Sequence, residues 1–463
     1  MALDLSKQEF LALCDGATRL AASWLDGLDA RSIAPAVTGA GVERLFAGPA
    51  PEQGVGAEAV LARLADVAGA SRAQNGRFLG YVLGSGEPSG AAADLLASVL
   101  NQNVTAWRSA PAGVAIEKTV VGWLAAAIGC PGFTGSLTGG GSPANLMALA
   151  MAREARWPSN ERGVAPGAVV YASEEVHMSI PKAVALLGIG REHLRLVPTD
   201  ASFRMRPDAL ARAMEDDVRA GRTPVAVVAT AGTVATGAVD PLDAVADVAS
   251  RHGAWLHVDG AYGALASLAA PALLAGLARA DSLSLDAHKW LYQPVDCGCL
   301  LFRDPSAARR AFSHSGDYVR SLTADPVESF AFFEESMELS RRFRALRLWT
   351  SIQLHGLAAF REAIGRDLAH ARALAARVER EPRLELLAPV ELSAVCFRVR
   401  GGADGDARNE AILRRVNGRG RVYLSNAKLR GAFALRACFV NHRTTDADVD
   451  AVVDEVLRAA EGA

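Results

Sequence analysis

One lysine in this chain stands where charge alone would not require it. The stretch Asp286-Ala-His-Lys289-Trp follows the alternating run Ser282-Leu-Ser-Leu285, a strand pattern, so Lys289 falls at a strand end beside an imidazole and an indole. The chain uses arginine for nearly all of its positive charge, and its lysines are Lys7, Lys118, Lys182, Lys289 and Lys428. A lysine in an apolar setting offers a primary amine, which arginine cannot, and that amine is the nucleophile of Schiff-base chemistry. Lys289 is therefore the first candidate catalytic residue.

Other strand ends carry chemistry as well, and in α/β sheets ligands gather outside the carboxyl ends of strands. Thr230 follows Val225–Ala229, Asp259 follows Trp255–Val258, and His177 follows Ala168–Ala172 after the turn Ser173-Glu-Glu-Val176. Separately, Thr134-Gly-Ser-Leu-Thr-Gly-Gly-Gly-Ser142-Pro143 leads into a helix over Ala144–Arg153, with Ser142 as expected N-cap and Pro143 as first helical residue. Glycines there leave backbone N–H groups beside a helix amino terminus, which suits a phosphate. Each feature alone has an ordinary reading: a turn, an Asp-Gly cap, a snorkelling lysine. Together, a phosphate cradle, an acid, a stackable imidazole and an apolar-flanked lysine describe the needs of one ligand, pyridoxal phosphate.

Elements that could position these groups are readable from the pattern. Apolar runs at 168–172, 194–197, 225–229, 255–258, 282–285 and 299–302 alternate with helical segments such as Pro207–Ala220 and Pro241–His252. Such crossover units build a mostly parallel sheet covered on both faces. Residues 1–74 are helical, broken at Ala47–Gly54, and too few for a core, so this arm is expected to pack on a partner subunit. Residues 75–335 form the expected cofactor domain, with an irregular polar stretch from about 310 to 340. Residues 336–463 form a smaller α+β unit, with a long helix from about Glu335 to Ala376, strands near Ala394–Val399 and Phe433–Cys438, and a last helix Asp446–Glu461.

Composition excludes several classes. A formal charge of −2 with 22% charged residues gives no basic excess for nucleic acid and no charged tail. The amino terminus lacks the order of a signal peptide. The uncharged segment Gly260–Ala278 has the length of a membrane span, but it is Gly- and Ala-rich and split by Pro271, so a buried loop and helix are expected. The six cysteines are scattered, and Cys297-Gly-Cys299 is too tight for a usual zinc pair, so reduced thiols, no metal site and a cytoplasmic location are expected.

The chain also resembles the group II pyridoxal-phosphate-dependent amino acid decarboxylases, the family of aromatic-L-amino-acid decarboxylase. The most specific motifs are His257-Val-Asp-Gly-Ala-Tyr262 and Asp286-Ala-His-Lys-Trp290, and the likeness runs from Phe78-Leu-Gly-Tyr81 through Ala93–Asn103 to Phe433–Arg436. It implies the aspartate-aminotransferase fold (fold type I), with a mostly parallel seven-stranded sheet, a small C-terminal α+β domain, and a homodimer with its site at the interface. Lys289 matches the Schiff-base lysine, Asp259 the partner of the ring nitrogen, and His177 the stacking imidazole. Gly141 and Ser142 match the phosphate loop, which departs from the family's Gly-Ser-Ala-Ser as Gly139-Gly-Gly-Ser142. Thr230, Ala261 and His288 match residues lining the cofactor, and Asp286 matches a position often Asn in the animal enzymes.

The resemblance implies decarboxylation of an L-amino acid to its amine. Tyr318, in Ser315-Gly-Asp-Tyr-Val-Arg320, falls at the family's loop tyrosine, the proton donor; relatives with Phe there tend to be aldehyde synthases. Tyr81 and Trp107, with Phe78 and Trp290, are candidates for an aromatic substrate pocket, whereas Arg77 or Arg108 would serve an acidic substrate. An aromatic substrate is favoured. Oxidative deamination to an aldehyde, an acidic or other non-aromatic substrate, and aminotransfer on the same fold stand as alternatives.

Overall fold

The computed structural model describes residues 3–35, 37–314, 325–401 and 404–461. Its larger sheet is built from β1 (Thr134–Thr138), β2 (Ala168–Ser173), β3 (Leu194–Val197), β4 (Thr223–Thr230), β5 (Trp255–Asp259), β6 (Ser282–Asp286) and β7 (Gly298–Phe302). Their order is β1-β7-β6-β5-β4-β2-β3. Only β7 runs antiparallel to its neighbours, so the sheet is mostly parallel, as expected.

Every residue of β2, β6 and β7 is buried, because helices cover both faces. The Ser-Leu alternation of β6 is therefore not a half-exposed strand. Leu283 and Leu285 join the main core with Val227, Val258 and Leu124. Ser282 and Ser284 face the other way, where their hydroxyls meet Trp255, His257 and Asp259. On that second face the helix Gly141–Arg156 packs Ala144, Met147 and Met151 against Leu300 and Phe302 of β7.

β1 is not recognisable in the sequence, because Thr-Gly-Ser-Leu-Thr has little strand propensity. It forms through its antiparallel partner β7 and through a buried ion pair: the Glu117 carboxylate accepts from Leu137 N (2.8 Å), and Arg341 Nη2 donates to Leu137 O (3.0 Å). The same Arg341 explains why the long helix starts at Ala345 and not near Glu335. Residues before it carry Arg341 inward to Glu117 and Val104 O, and Arg344 to Glu338.

A second sheet, of β8 (Leu384–Leu386), β9 (Ala394–Val399), β10 (Ser425–Leu429) and β11 (Ala432–Cys438), is antiparallel in the order β10-β11-β9-β8. The helix Ala345–Arg380 links the two cores. Leu348 and Ile352 pack in the first, Leu374 and Val378 in the second, and Gly356 (φ 72°) breaks the helix between them. Gly260–Ala278 is mostly buried and contains short 3₁₀ turns, and among the described residues no helix is long and apolar enough to cross a membrane.

At the amino terminus, α1 (Lys7–Asp26), α2 (Gly39–Phe46) and α3 (Ala57–Ala70) bury none of their own residues; α1 packs on α3. Phe10, Leu11, Val60, Leu64 and Val67 stay exposed. So do Leu95, Leu96, Val99 and Leu100 on α4 (Pro88–Leu100). After α5 (Pro111–Ala127) and β1 comes α6 (Gly141–Arg156), whose first turn opens on the site.

Candidate active site

The carboxyl ends of β4, β5 and β6 and the turn between β1 and α6 enclose a cavity of about 250 Å³. Nine residues singled out in the sequence line it: Lys289, Asp259, His177, Gly141, Ser142, Thr230, Ala261, Asp286 and His288. Two others do not. Trp107 packs against the main core with its backbone N–H bonded to Phe330 O (3.1 Å), and Tyr81, 57% exposed, leans on Tyr423 with its hydroxyl 3.1 Å away. Phe78 stacks on Tyr423, and Trp290 is fully buried against Tyr262. Arg77 is spent on Asp448 and on the carbonyls of Asp29 and Arg421. Tyr318 lies outside the described residues.

The glycine turn is set by close approach. Gly140 (φ 112°), not Ser142, holds the N-cap position, with no side-chain cap. A left-handed glycine makes the corner, so α6 starts earlier than expected and the Ser142 side chain belongs to the first helical turn instead of capping it. A Cβ on Gly298 would come within 2.5 Å of Gly140 Cα, and one on Gly141 within 2.7 Å of Ala261 Cβ. The turn is thus wedged between β7 and Ala261, and the free N–H groups of a 16-residue helix begin at the cavity.

Asp259 ends a directed chain of hydrogen bonds. The Trp255 indole N–H donates to Ser282 Oγ (2.8 Å), which in turn meets His257 Nδ1 (2.9 Å); His257 Nε2 lies 2.8 Å from Asn145 Oδ1. Since an amide oxygen only accepts, Nε2 carries the proton. Asn145 Nδ2 then donates to Asp259 Oδ2 (2.8 Å) and Ser179 Oγ (2.9 Å), and Ser179 Oγ lies 2.8 Å from His177 Nδ1. Ser284 Oγ and Ala261 N donate to Asp259 Oδ1, both at 3.2 Å. Burial holds His257 down to about 4 and keeps His177 below the usual histidine range, against the pull of Asp259. His177 is thus a neutral ring of fixed orientation.

Asn145 and Ser179 were missed in the sequence, and His257 was noted only as part of a motif. A faint signal existed. Asparagine is a poor helix former, so Asn145, just ahead of Leu146-Met-Ala-Leu-Ala150, is out of place unless its amide is used.

Lys289 Nζ lies 2.9 Å from Asp286 Oδ2, and His288 Nε2 3.7 Å from the same oxygen. Asp286 Oδ1 and Thr230 Oγ1 are buried with no protein partner. Thr230 N bonds Asp240 Oδ2 (2.8 Å), a carboxyl that burial pushes up to about 6. These residues fit pyridoxal phosphate: the turn offers backbone donors to the phosphate, Asp259 a carboxylate to the ring nitrogen, His177 a ring face, and Lys289 an amine. Orphaned Thr230 Oγ1 adds an unused hydroxyl. Among the described residues no cluster could hold a metal ion.

Comparison with known proteins agrees with this chemistry. The profile of the pyridoxal-dependent decarboxylase conserved domain matches residues 67–400. An aromatic-L-amino-acid decarboxylase of Bacillus atrophaeus is 36% identical over 392 residues, covering 83% of this chain and 81% of that protein. Tryptophan decarboxylase TDC1 of Camptotheca acuminata is 36% identical over 359 residues, covering 74% and 72%. The crystal structure of Oryza sativa TDC with PLP and tryptamine superposes with a TM-score of 0.92 at 28% identity, covering 99% of each chain.

Proposed function

On the premise that the chain belongs to the pyridoxal-dependent decarboxylase family, and so is a pyridoxal-phosphate carboxy-lyase acting on an amino acid, we propose that its substrate is an aromatic L-amino acid and its products the amine and carbon dioxide. The observation that carries the substrate class is the charge of the cavity. Among the described residues its lining includes the carboxylates Asp259, Asp286 and Asp296 and no arginine. An acidic side chain would meet like charge there, and the guanidiniums beside the cavity, Arg342 and Arg344, are already paired with Asp296. The B. atrophaeus and C. acuminata relatives, named for aromatic substrates, support the same choice.

When bound, the cofactor supplies an aldehyde that captures amines and a protonated ring that takes up the electron pair left as carbon dioxide departs. The chain's own residues do the rest. Lys289 would hold the cofactor by its aldehyde, with its amine in the cavity. Asp259, fixed by Asn145, Ser284 and Ala261, would be the carboxylate that holds a proton on the ring nitrogen. His177, its ring held by Ser179, would offer a face to the cofactor's ring. The first turn of α6 seats the phosphate, with Ser142 and Thr230 as hydroxyl donors. Tyr318 returns the proton to Cα, and with that hydroxyl in place the product is amine.

The arm and α4 support a homodimer. Their apolar residues, left uncovered by their own chain, make a patch of the kind a second copy buries. A site completed at that interface would let Tyr81 and Trp107 of one chain or its partner reach substrate. The unpaired cysteines, all but Cys14 buried, suit a reducing, cytoplasmic setting.

A panel of L-amino acids with purified protein, measuring carbon dioxide, amine, aldehyde and peroxide together, tests the reading. Tryptophan, tyrosine or phenylalanine should give equimolar amine and carbon dioxide, and Tyr318→Phe should divert product to aldehyde and peroxide. Turnover of glutamate or aspartate alone refutes the substrate class, and keto-acid product without carbon dioxide refutes decarboxylation.

A further inference from the structure

Asp286 is a carboxylate in an awkward place. It is 3% exposed, and its Oδ2 lies 2.9 Å from Lys289 Nζ. Its Oδ1 has no protein partner, and both oxygens face the glycine turn: a Cβ on Gly140 would come 3.9 Å from Oδ1, and one on Gly141 3.2 Å from Oδ2 and 3.6 Å from Oδ1. Other buried carboxylates here each accept from at least one backbone N–H, Asp240 from Met205 and Thr230 and Asp259 from Ala261. Asp286 has instead the Lys289 amine, with His288 Nε2 at 3.7 Å. Next to a phosphate on the turn this charge is a cost, so it must serve the lysine.

An ammonium cannot attack a carbonyl, because a proton occupies its lone pair. Resting on the assignment of Lys289 as the aldehyde-capturing amine, we infer that Asp286 is the proton carrier of cofactor capture. The carboxylate takes one proton from the Lys289 ammonium. The freed lone pair forms the C–N bond, and the aldehyde oxygen leaves as water. That water carries away the proton relayed by Asp286 and a second one from the nitrogen, and the C=N link keeps the third. One carboxylate thus acts as base and then as acid on the same nitrogen–oxygen exchange, within hydrogen-bonding reach of Nζ.

The test is the rate at which protein freed of cofactor captures pyridoxal 5'-phosphate, followed by stopped-flow absorbance of the aldehyde and of the C=N link. Wild type, Asp286→Asn and Asp286→Ala are compared, with and without formate, and Lys289→Ala reports non-covalent binding alone. Capture should slow by about 10²-fold in both Asp286 variants. Formate should restore Asp286→Ala in proportion to its concentration and leave Asp286→Asn unchanged, which a merely structural role would not do. Capture at the wild-type rate by either variant overturns the inference, as does slow capture by Asp286→Ala that formate does not raise. Should Asp286→Ala fail to fold, the isosteric Asp286→Asn decides alone, a wild-type rate overturning and a 10²-fold loss supporting. If wild type binds the cofactor but forms no C=N link, the assignment of Lys289 fails instead.

Discussion

Asn145 Nδ2 lies 2.8 Å from Asp259 Oδ2 while the same amide accepts from His257 Nε2 through Oδ1 (2.8 Å). One side chain from α6 therefore ties the end of β5 to its own interior. Removing it leaves Asp259 Oδ2 without its donor and a buried imidazole N–H without an acceptor. Asn145→Ala should lose about 1–3 kcal/mol of stability, as an unsatisfied buried group costs, and lower kcat more than it raises KM. Asn145→Asp sets a carboxylate against Asp259 and should be worse than Ala in both respects. Thermal unfolding and amine production check this; an Asn145→Ala protein equal to wild type in both would refute it.

The glycine turn predicts a different failure. Gly298 belongs to β7 and is not among the residues lining the cavity, yet its added Cβ would press within 2.5 Å of Gly140 Cα, where only backbone can yield. Gly298→Ala should displace the turn and weaken cofactor binding at least tenfold, or about 1.4 kcal/mol. Equilibrium titration of the apoprotein with pyridoxal 5'-phosphate measures it, and an unchanged dissociation constant would exclude the wedge.

These two residues mark what the sequence could and could not show. Lys289, Asp259, His177 and Thr230 were legible because strand ends are recognisable and polar residues there are few. The glycine turn was legible as glycines, but its boundaries were not: Ser142 resembled an N-cap until Gly140 was seen in a left-handed conformation. β1 and Asn145 were illegible for one reason, that tertiary partners define them. β1 is held by β7 and by Glu117 with Arg341, and Asn145 by residues 34 to 114 positions away. Tyr81 and Trp107 have the rings an aromatic pocket needs, but ring type says nothing of direction.

His257 makes a prediction in pH. Buried, it is held down to about 4 from an ordinary 6.5, so between those values the unfolded chain binds the proton and the fold does not. Its contribution is therefore intact above pH 6.5 and lost as pH falls towards 4. His442, also at about 4, acts in the same direction. Asp240 and Asp367, which burial raises to about 6 and about 7, act oppositely and gain as pH falls. The bare profile of wild type should thus be shallow, and the difference from a variant is what reads His257. The stability gap between wild type and His257→Asn should narrow by about 2 kcal/mol from pH 7 to pH 5. Denaturant titrations at the two values decide, and a gap that is constant or widens contradicts the burial argument.

The pair Glu117–Arg341 predicts a separation of stability from binding. Both side chains are essentially unexposed, 0% and 1%, and Arg341 also lies over Phe332 at 4.2 Å. Together they grip Leu137 by its N–H and its carbonyl, three residues before the corner at Gly140. Glu117→Ala strands a buried guanidinium and should cost about 3–5 kcal/mol. Replacing the pair as Glu117→Leu with Arg341→Met removes both charges and should recover most of that loss, since apolar side chains of similar volume substitute well for buried ion pairs. The backbone of β1 would still lack its two clamps. The double variant should therefore regain most, but not all, of the stability lost in Glu117→Ala and hold pyridoxal 5'-phosphate more weakly than wild type, because the strand that carries the glycine turn is no longer fixed along its length. Thermal unfolding without cofactor and apoprotein titration with it separate the two effects, and a double variant with restored stability and wild-type affinity would reduce the pair to a structural one.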